Sequence, residues 1–427
     1  MPARRTVPHG DHGWGRAAVC LYALALPFQP VLTLPDGSPL RIAAAELVAP
    51  FVLAAAVFRP RRALPSGLLA LTLLVPAVAL AATLNAVYDR ELSGYAVGKT
   101  AGLFYLAALA VAIARAIGPG DEDAVLRALG AGALWSAVVG LAGFALALAG
   151  IPTTLVEGDR VCSTMPGDPN IFCSLLALGL LVVLADRNLS PIGRAVRVAV
   201  LAAALLASGS RSGTLAALAG ILACAFLRRR DAWVTAARTT YVVLALVVAG
   251  VLAIATDTGA RAAGVLWEHV WRTFTIDSRF SLYGRALDEF IEHPIAGLGI
   301  GGFNDLNTWN LWHGGEHFAV HNTYLWALVD MGVPGGVALV ALIGGGIWRA
   351  VRAARRRGAP EAAAVIAAGL IAFAVFDLFI DGFYQRQFWL LVACALGLPA
   401  RRPVARRPPT WEWWRRRQQT FVWTGSP

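Results

Sequence analysis

The sequence predicts an all-α polytopic membrane protein, and three observations carry that expectation. Of 427 residues, 57% are hydrophobic and only 15% are charged, against about 25% charged in a soluble globular protein. The apolar residues gather into long runs. A bilayer crossing takes roughly 20 such residues, and about twelve runs qualify, at 17–35, 40–58, 66–86, 94–117, 124–149, 170–186, 193–208, 212–228, 236–256, 321–348, 361–383 and 386–400. Charge is segregated too: with the N-terminus in the cytoplasm, all but ten of the 37 Lys and Arg fall on the cytoplasmic side. They form blocks such as Arg59/Arg61/Arg62, Arg228 to Arg230, Arg355 to Arg357 and Arg415 to Arg417. Orientation follows this bias, so both termini are expected in the cytoplasm. The net charge of +11 is therefore topological and does not point to nucleic acid.

Four regions follow in order. Residues 1–256 hold nine of the apolar runs, 257–320 form one large external loop, 321–400 hold three further runs, and 401–427 form a basic cytoplasmic tail. The first run meets Pro27 and Pro30 and lacks a small-x-small cleavage site, so it reads as a retained helix. The five cysteines sit mostly inside apolar runs with no C-x-x-C, which makes them packing residues. The only lysine, Lys99, opens the fourth run after Asp89-Arg90-Glu91 and reads as a snorkelling helix-end residue, or as a contact to an anionic head group. In the tail, arginine with Trp411, Trp413 and Trp414 suits an anionic lipid surface.

The stretch from Asp257 to Gly336, the loop and the helix start after it, holds five of the seven histidines, His269, His293, His313, His317 and His321. Helical spacing of Leu266, Trp267, Val270, Trp271 and Phe274 predicts an interfacial amphipathic helix over 261–274. A second is predicted over 281–292, with Leu282, Ala286, Leu287, Phe290 and Ile291 on one face and His293-Pro294 as its stop. The glycine-rich 297–303 stretch is no phosphate loop, because no strand precedes it and no Lys-Ser/Thr follows. His313, His317 and His321 share an i, i+4, i+8 spacing that suits zinc on a helix, but Gly314-Gly315 argue against that helix. The sequence thus predicts neither metal nor cofactor.

Two further places hold charge at the outer membrane edge. The hairpin Ser208-Gly209-Ser210-Arg211-Ser212-Gly213 sets one arginine among hydroxyls and glycines, and a charge there is costly unless paired, hydrated or used. In the link at 157–170, Asp168-Pro169-Asn170 reads as a helix entry, which leaves Arg160 unexplained. Arginine is a permanently charged planar fork suited to phosphate oxygens. Arg160, Arg211, Arg279 and Arg285 beside His321 therefore suit a lipid-linked pyrophosphate, with the histidine handling an acceptor proton. The plainer reading of His321 is a polar helix cap.

Taken together, Ser210-Arg211-Ser212-Gly213, Arg285 through His293-Pro294-Ile295-Ala296-Gly297-Leu298-Gly299 to Phe303, His321-Asn322-Thr323-Tyr324-Leu325, and Asp330-Met331-Gly332-Val333-Pro334-Gly335-Gly336 resemble the O-antigen ligase and polymerase family of bacterial membrane glycosyltransferases. The Pro169-Asn170 pair after Arg160 is similar as well. The resemblance implies a GT-C-like fold in the bacterial inner membrane and a periplasmic active site. It also implies metal-independent transfer of a glycan from undecaprenyl pyrophosphate to an acceptor hydroxyl on lipid A-core. Carried over by position, it makes His321 and Arg211 catalytic, Arg285, Arg279 and Arg160 binders of the pyrophosphate, and Asn322, Tyr324 and Asn170 supporting residues. Asp330 stands where the family has glutamate. A polymerase extending the lipid-linked glycan and a protein O-glycosyltransferase share this donor chemistry. A transporter or flippase would carry ionisable residues near the midplane of several helices, and an intramembrane serine protease would need a nucleophile motif around Ser210. Neither pattern is present.

Overall fold

A computed structural model describes residues 13–29, 31–33, 39–41, 43–58, 63–87, 94–158, 160–165, 168–228, 264, 274–306, 320–356 and 358–399; at 31–33, 39–41, 274–279 and 305–306 the description covers backbone alone. The apolar run at 236–256, the interfacial helix expected over 261–274, His269, His313, His317 and the 401–427 tail lie outside the described residues. Along the described chain run α1 (Gly13–Ala25), α2 (Ala44–Phe58), α3 (Ser66–Ala86), α4 (Gly94–Ala116), α5 (Glu122–Leu148), α6 (Pro169–Ala185), α7 (Pro191–Ala207), α8 (Arg211–Leu227), α9 (Phe274–Glu292), α10 (Gly302–Leu306), α11 (Thr323–Ala354), α12 (Glu361–Phe376) and α13 (Arg386–Gly397). Two antiparallel hairpins complete the described structure: β1 (Val31–Thr33) with β2 (Pro39–Arg41), and β3 (Val156–Glu157) with β4 (Arg160–Val161).

The fold is all-α, as its composition predicts. Among the described residues four helices, α3, α4, α5 and α11, are long and apolar enough to cross a membrane, fewer than the twelve runs counted in the sequence. Breakers account for part of the difference. The run at 17–35 stops as helix at Ala25, ahead of Pro27, and the run at 361–383 stops at Phe376, since proline removes an intrahelical donor and a buried polar link ends the repeat. Side chains sort as membrane packing requires: Ala and Gly line helix contacts, while Leu47, Phe51, Phe58, Trp135, Leu222 and Trp348 point outward.

Contacts between helix ends show that the chain alternates direction. Arg228 at the end of α8 lies 3.8 Å from Glu361 at the start of α12, whereas Gly220, midway along α8, packs on Ala368 and Ala372. The first turn of α8 therefore lies at the same end of the bundle as the last turn of α12. One end collects Arg16, Arg115, Arg127, Arg187, Arg194, Arg197, Arg228, Arg349, Arg352, Arg355 and Arg356. It carries the Arg16–Asp121 and Arg187–Glu361 ion pairs, at 3.7 and 2.7 Å. The opposite end gathers the first turns of α4, α6, α8, α11 and α13 with the last turns of α3, α5, α7 and α12.

The described part of the expected 257–320 loop is folded onto that second end. α9 buries Leu282 and Ala286, leaves Phe280, Leu287 and Ile291 exposed, and stops at Glu292 before Pro294. The glycine-rich stretch then docks against a break in α11. There Gly332 takes φ 65 and ψ −171, the Leu298 N–H donates to the Val329 carbonyl at 2.8 Å, and the Val333 N–H donates to Pro294 at 2.8 Å. A Cβ at Gly332 would strike the Ile295 carbonyl, and one at Gly297 would sit 2.5 Å from the Asp330 carbonyl carbon. Glycine is thus required at both positions by backbone against backbone.

Candidate functional site

The site is built from helix termini at the end of the bundle opposite the larger arginine cluster. Its arginine hairpin is short because α7 closes on Ser208 and α8 opens at once: Gly209 takes φ 62, and the Ser210 hydroxyl accepts from the Gly213 N–H at 3.3 Å as N-cap. Gly213 is there for close approach, since a Cβ would collide with the Cys173 sulfur of α6. The three serines are occupied within the hairpin. Ser208 donates to Leu205 at 2.7 Å, and Ser210 and Ser212 pair at 3.2 Å. The Arg211 side chain stands exposed at the mouth of α8.

Arg160, unexplained by sequence, holds three segments together. Its Nε donates to the Ser208 carbonyl at 2.9 Å, and a terminal nitrogen donates to Asn170 Oδ1 at 2.8 Å. One guanidinium thus joins the β3–β4 hairpin, the first turn of α6 and the segment leading to Arg211. The hairpin that carries it is pressed onto α5 at Gly140 and Gly143, where Cβ atoms would lie 2.7 Å from Val161 and 2.5 Å from Leu155. Asp168 caps α6 by accepting from Ile171 at 2.9 Å.

His321 lies just ahead of α11 with φ 52, a left-handed conformation rare for a residue with a side chain. It is not the cap: Asn322 Oδ1 accepts from the N–H groups of Tyr324 and Leu325, both at 3.0 Å. Of the expected supporting residues, Asn322 is engaged as N-cap, and the Tyr324 hydroxyl donates to Ala374 of α12 at 2.9 Å. What fixes the backbone here is a buried network. Thr323 N donates to the Asp377 carbonyl at 2.8 Å, its hydroxyl is shared between Asp377 Oδ1 and the Ile380 carbonyl at 2.9 and 2.8 Å, and the Gly382 N–H donates back to it at 3.1 Å. From α9, the Tyr283 hydroxyl donates to the His321 carbonyl at 3.1 Å. The helix that carries half-buried Arg285 is thereby tied to His321. For Arg279 the described residues give only its place in the α9 backbone.

Asp330 binds backbone. Its carboxylate accepts from Gly301 at 2.7 Å and Phe303 at 3.3 Å, fully buried at the start of α10. His293 is exposed at the end of α9, where its ligand atoms lie within 4.8 Å of those of Glu289 and Glu292. That grouping is what i, i+3 and i+4 neighbours on one helix produce.

Residues 196–340 match the family model described as O-Antigen ligase. This segment is similar to that family's domain. The matched stretch runs from α7 into α11 and contains Arg211, Arg285 and His321, whereas Arg160 and Asn170 precede it. The match spans 196–340 of the 427 residues, about a third of the chain. No curated protein matches the chain. Motif reading passed over Tyr283 inside the matched segment and Asp377 and Asp381 beyond it. Two carboxylates near the end of the apolar run at 361–383 were the available signal, because acids within such runs are seldom idle. In the 377–385 link, burial pushes the Asp381 carboxyl up to about 6, opposed by Lys99 and reinforced by Asp168.

Proposed function

We propose that this enzyme transfers a glycan from undecaprenyl pyrophosphate to an acceptor hydroxyl on lipid A-core, at the periplasmic face of the bacterial inner membrane. In this reading the arginine-rich end of the bundle faces the cytoplasm, about twelve segments cross the bilayer in a GT-C-like arrangement, and both termini are cytoplasmic. The observation that carries it is the ligase-family match across the very segment that holds Arg211, Arg285 and His321. The meeting of the α8, α11 and α12 termini at one end, and the Tyr283 link from α9 to His321, support the same reading.

The step balances with these residues. The acceptor oxygen attacks the anomeric carbon of the glycan, and its proton passes to the His321 imidazole. The bond from that carbon to the phosphate oxygen breaks, and its electron pair leaves with the polyprenyl pyrophosphate. Arg211, Arg285 and Arg279 bind the diphosphate as its negative charge grows. Arg160, joined to Asn170, holds the Ser208–Arg211 hairpin in place. The arginines supply the positive charge, so the reading requires no metal. The left-handed backbone of His321 is strain of the kind found where a side chain must be aimed.

The test uses purified full-length protein in lipid with a polyprenyl-pyrophosphate glycan and lipid A-core. Arg211→Ala and His321→Ala are each expected to abolish transfer while leaving the protein in the membrane. Full activity of the His321 variant removes its role. Lengthened donor in place of product on lipid A-core identifies a polymerase, and labelled donor crossing the bilayer without product identifies a transporter.

A further inference from the structure

A cavity beside the proposed reaction centre is used by none of those steps. It lies between the first turns of α4 and α11, the 377–385 link and the segment around Gly301, and offers about 180 Å³. Its wall is of two kinds. Tyr95, Trp326 and Tyr384 provide aromatic surface, with the Trp326 and Tyr384 rings edge to face at 5.4 Å. Lys99, Asp168 and Asp381 provide charge, and the Lys99 ammonium lies 4.2 Å above the Tyr384 ring.

Two features specify the ligand. Among the described residues, Asp381 Oδ1 and the Tyr384 hydroxyl are buried without a hydrogen-bond partner. Such groups are costly until something pairs with them. The cavity therefore favours a ligand that brings hydroxyls together with an apolar face for the rings. Its charge excludes another class: two carboxylates against one ammonium repel a polyanion, so the diphosphate belongs with the arginines. A pyranose presents C–H faces to aromatic rings and hydroxyls to carboxylate and phenol. Thr323 also lines this cavity, two residues from His321, so a ring held here lies next to the proposed reaction centre.

We propose that this cavity is a carbohydrate subsite that takes an uncharged pyranose unit of the glycan substrate, apart from the arginines that take the diphosphate. The inference rests on the glycan-transfer reading for its choice of substrate, but its test does not. Full-length protein in nanodiscs is examined by saturation-transfer difference NMR with the methyl pyranosides of glucose, galactose, mannose and N-acetylglucosamine. Methyl glucuronide is the charged counterpart, and inorganic pyrophosphate is the competitor.

At least one neutral pyranoside is expected to receive saturation. Its affinity should fall at least about fivefold in Asp381→Asn and in Tyr384→Phe, the scale of one lost hydrogen bond. It should persist in Arg211→Ala, methyl glucuronide should bind more weakly, and pyrophosphate should not displace the sugar. Gel filtration and helicity identify any misfolded variant, and Tyr384→Phe, which removes one oxygen, keeps the test open if Asp381→Asn fails to fold. Binding by no neutral pyranoside, binding that survives both substitutions, or displacement by pyrophosphate overturns the subsite. Transfer assayed in the same nanodiscs separates the two proposals. Transfer without pyranoside binding overturns the subsite alone, and pyranoside binding without transfer overturns the glycan-transfer reading alone.

Discussion

Thr323→Val tests whether the network behind His321 organises the site. The substitution keeps the side chain's shape and removes one buried hydroxyl. That hydroxyl serves Asp377 Oδ1, the Ile380 carbonyl and the Gly382 N–H at 2.9, 2.8 and 3.1 Å. Thr323 and Asp377 are both fully buried, so water cannot take its place without repacking. Loss of one donated and one accepted hydrogen bond, with their partners left unpaired, gives a destabilisation of about 2–4 kcal/mol. The catalytic consequence is larger than stability alone implies: displacing a reacting group by about 1 Å can cost on the order of 100-fold, and His321 is two residues away. Unfolding in mixed micelles titrated with SDS measures the first quantity, and initial transfer rates in lipid measure the second, with an expected loss of about 10- to 100-fold. Thr323→Ser restores the hydroxyl and should recover most of both. A valine variant as stable and active as the parent, or a serine variant as impaired as valine, refutes the argument.

Three other outcomes follow from the geometry. Gly332→Ala must place a side chain at φ 65, ψ −171 and against the Ile295 carbonyl; the backbone strain alone is about 1–3 kcal/mol, so unfolding should shift by at least that much, whereas Gly344→Ala, which has open space, should not shift it. Arg160→Gln frees the Arg211 hairpin from Asn170 and is expected to raise KM for the lipid-linked donor several-fold more than it lowers kcat, as measured by steady-state kinetics. The Asp381 carboxyl, raised to about 6 by burial, binds its proton more tightly in the native than in the unfolded protein. Its contribution to stability is therefore full below about pH 4 and lost as pH rises through about 6, at most about 3 kcal/mol, and Asp381→Asn should flatten that part of the stability profile.

Motif reading and structure part company where polar side chains turn out to be internal fasteners. The serines flanking Arg211, Asn322 carried over as a supporting residue, and Asp330 standing where the family has glutamate each serve a hydrogen bond within the fold: Ser210 and Asn322 cap helices, and Asp330 binds the backbone of Gly301 and Phe303. Arg160 carries no local signal that separates a phosphate contact from a fastener, because its partners are 10 and 48 residues away. Glycine is ambiguous in the same manner. Gly213 and Gly332 admit close approach in sequence terms, and the approaching groups prove to be Cys173 and the Ile295 carbonyl.

Composition and periodicity by themselves determined that this chain is a helical membrane protein, because apolar run length and charge segregation are local properties that no tertiary contact reverses. Motif spacing was enough to single out the segment matched by the ligase family. Tertiary structure alone decided which charged groups share one end of the bundle, which hold the fold and which line a cavity. Lys99 and Asp381 are 282 positions apart in the chain and meet at one cavity only because helices running in alternate directions bring their ends together.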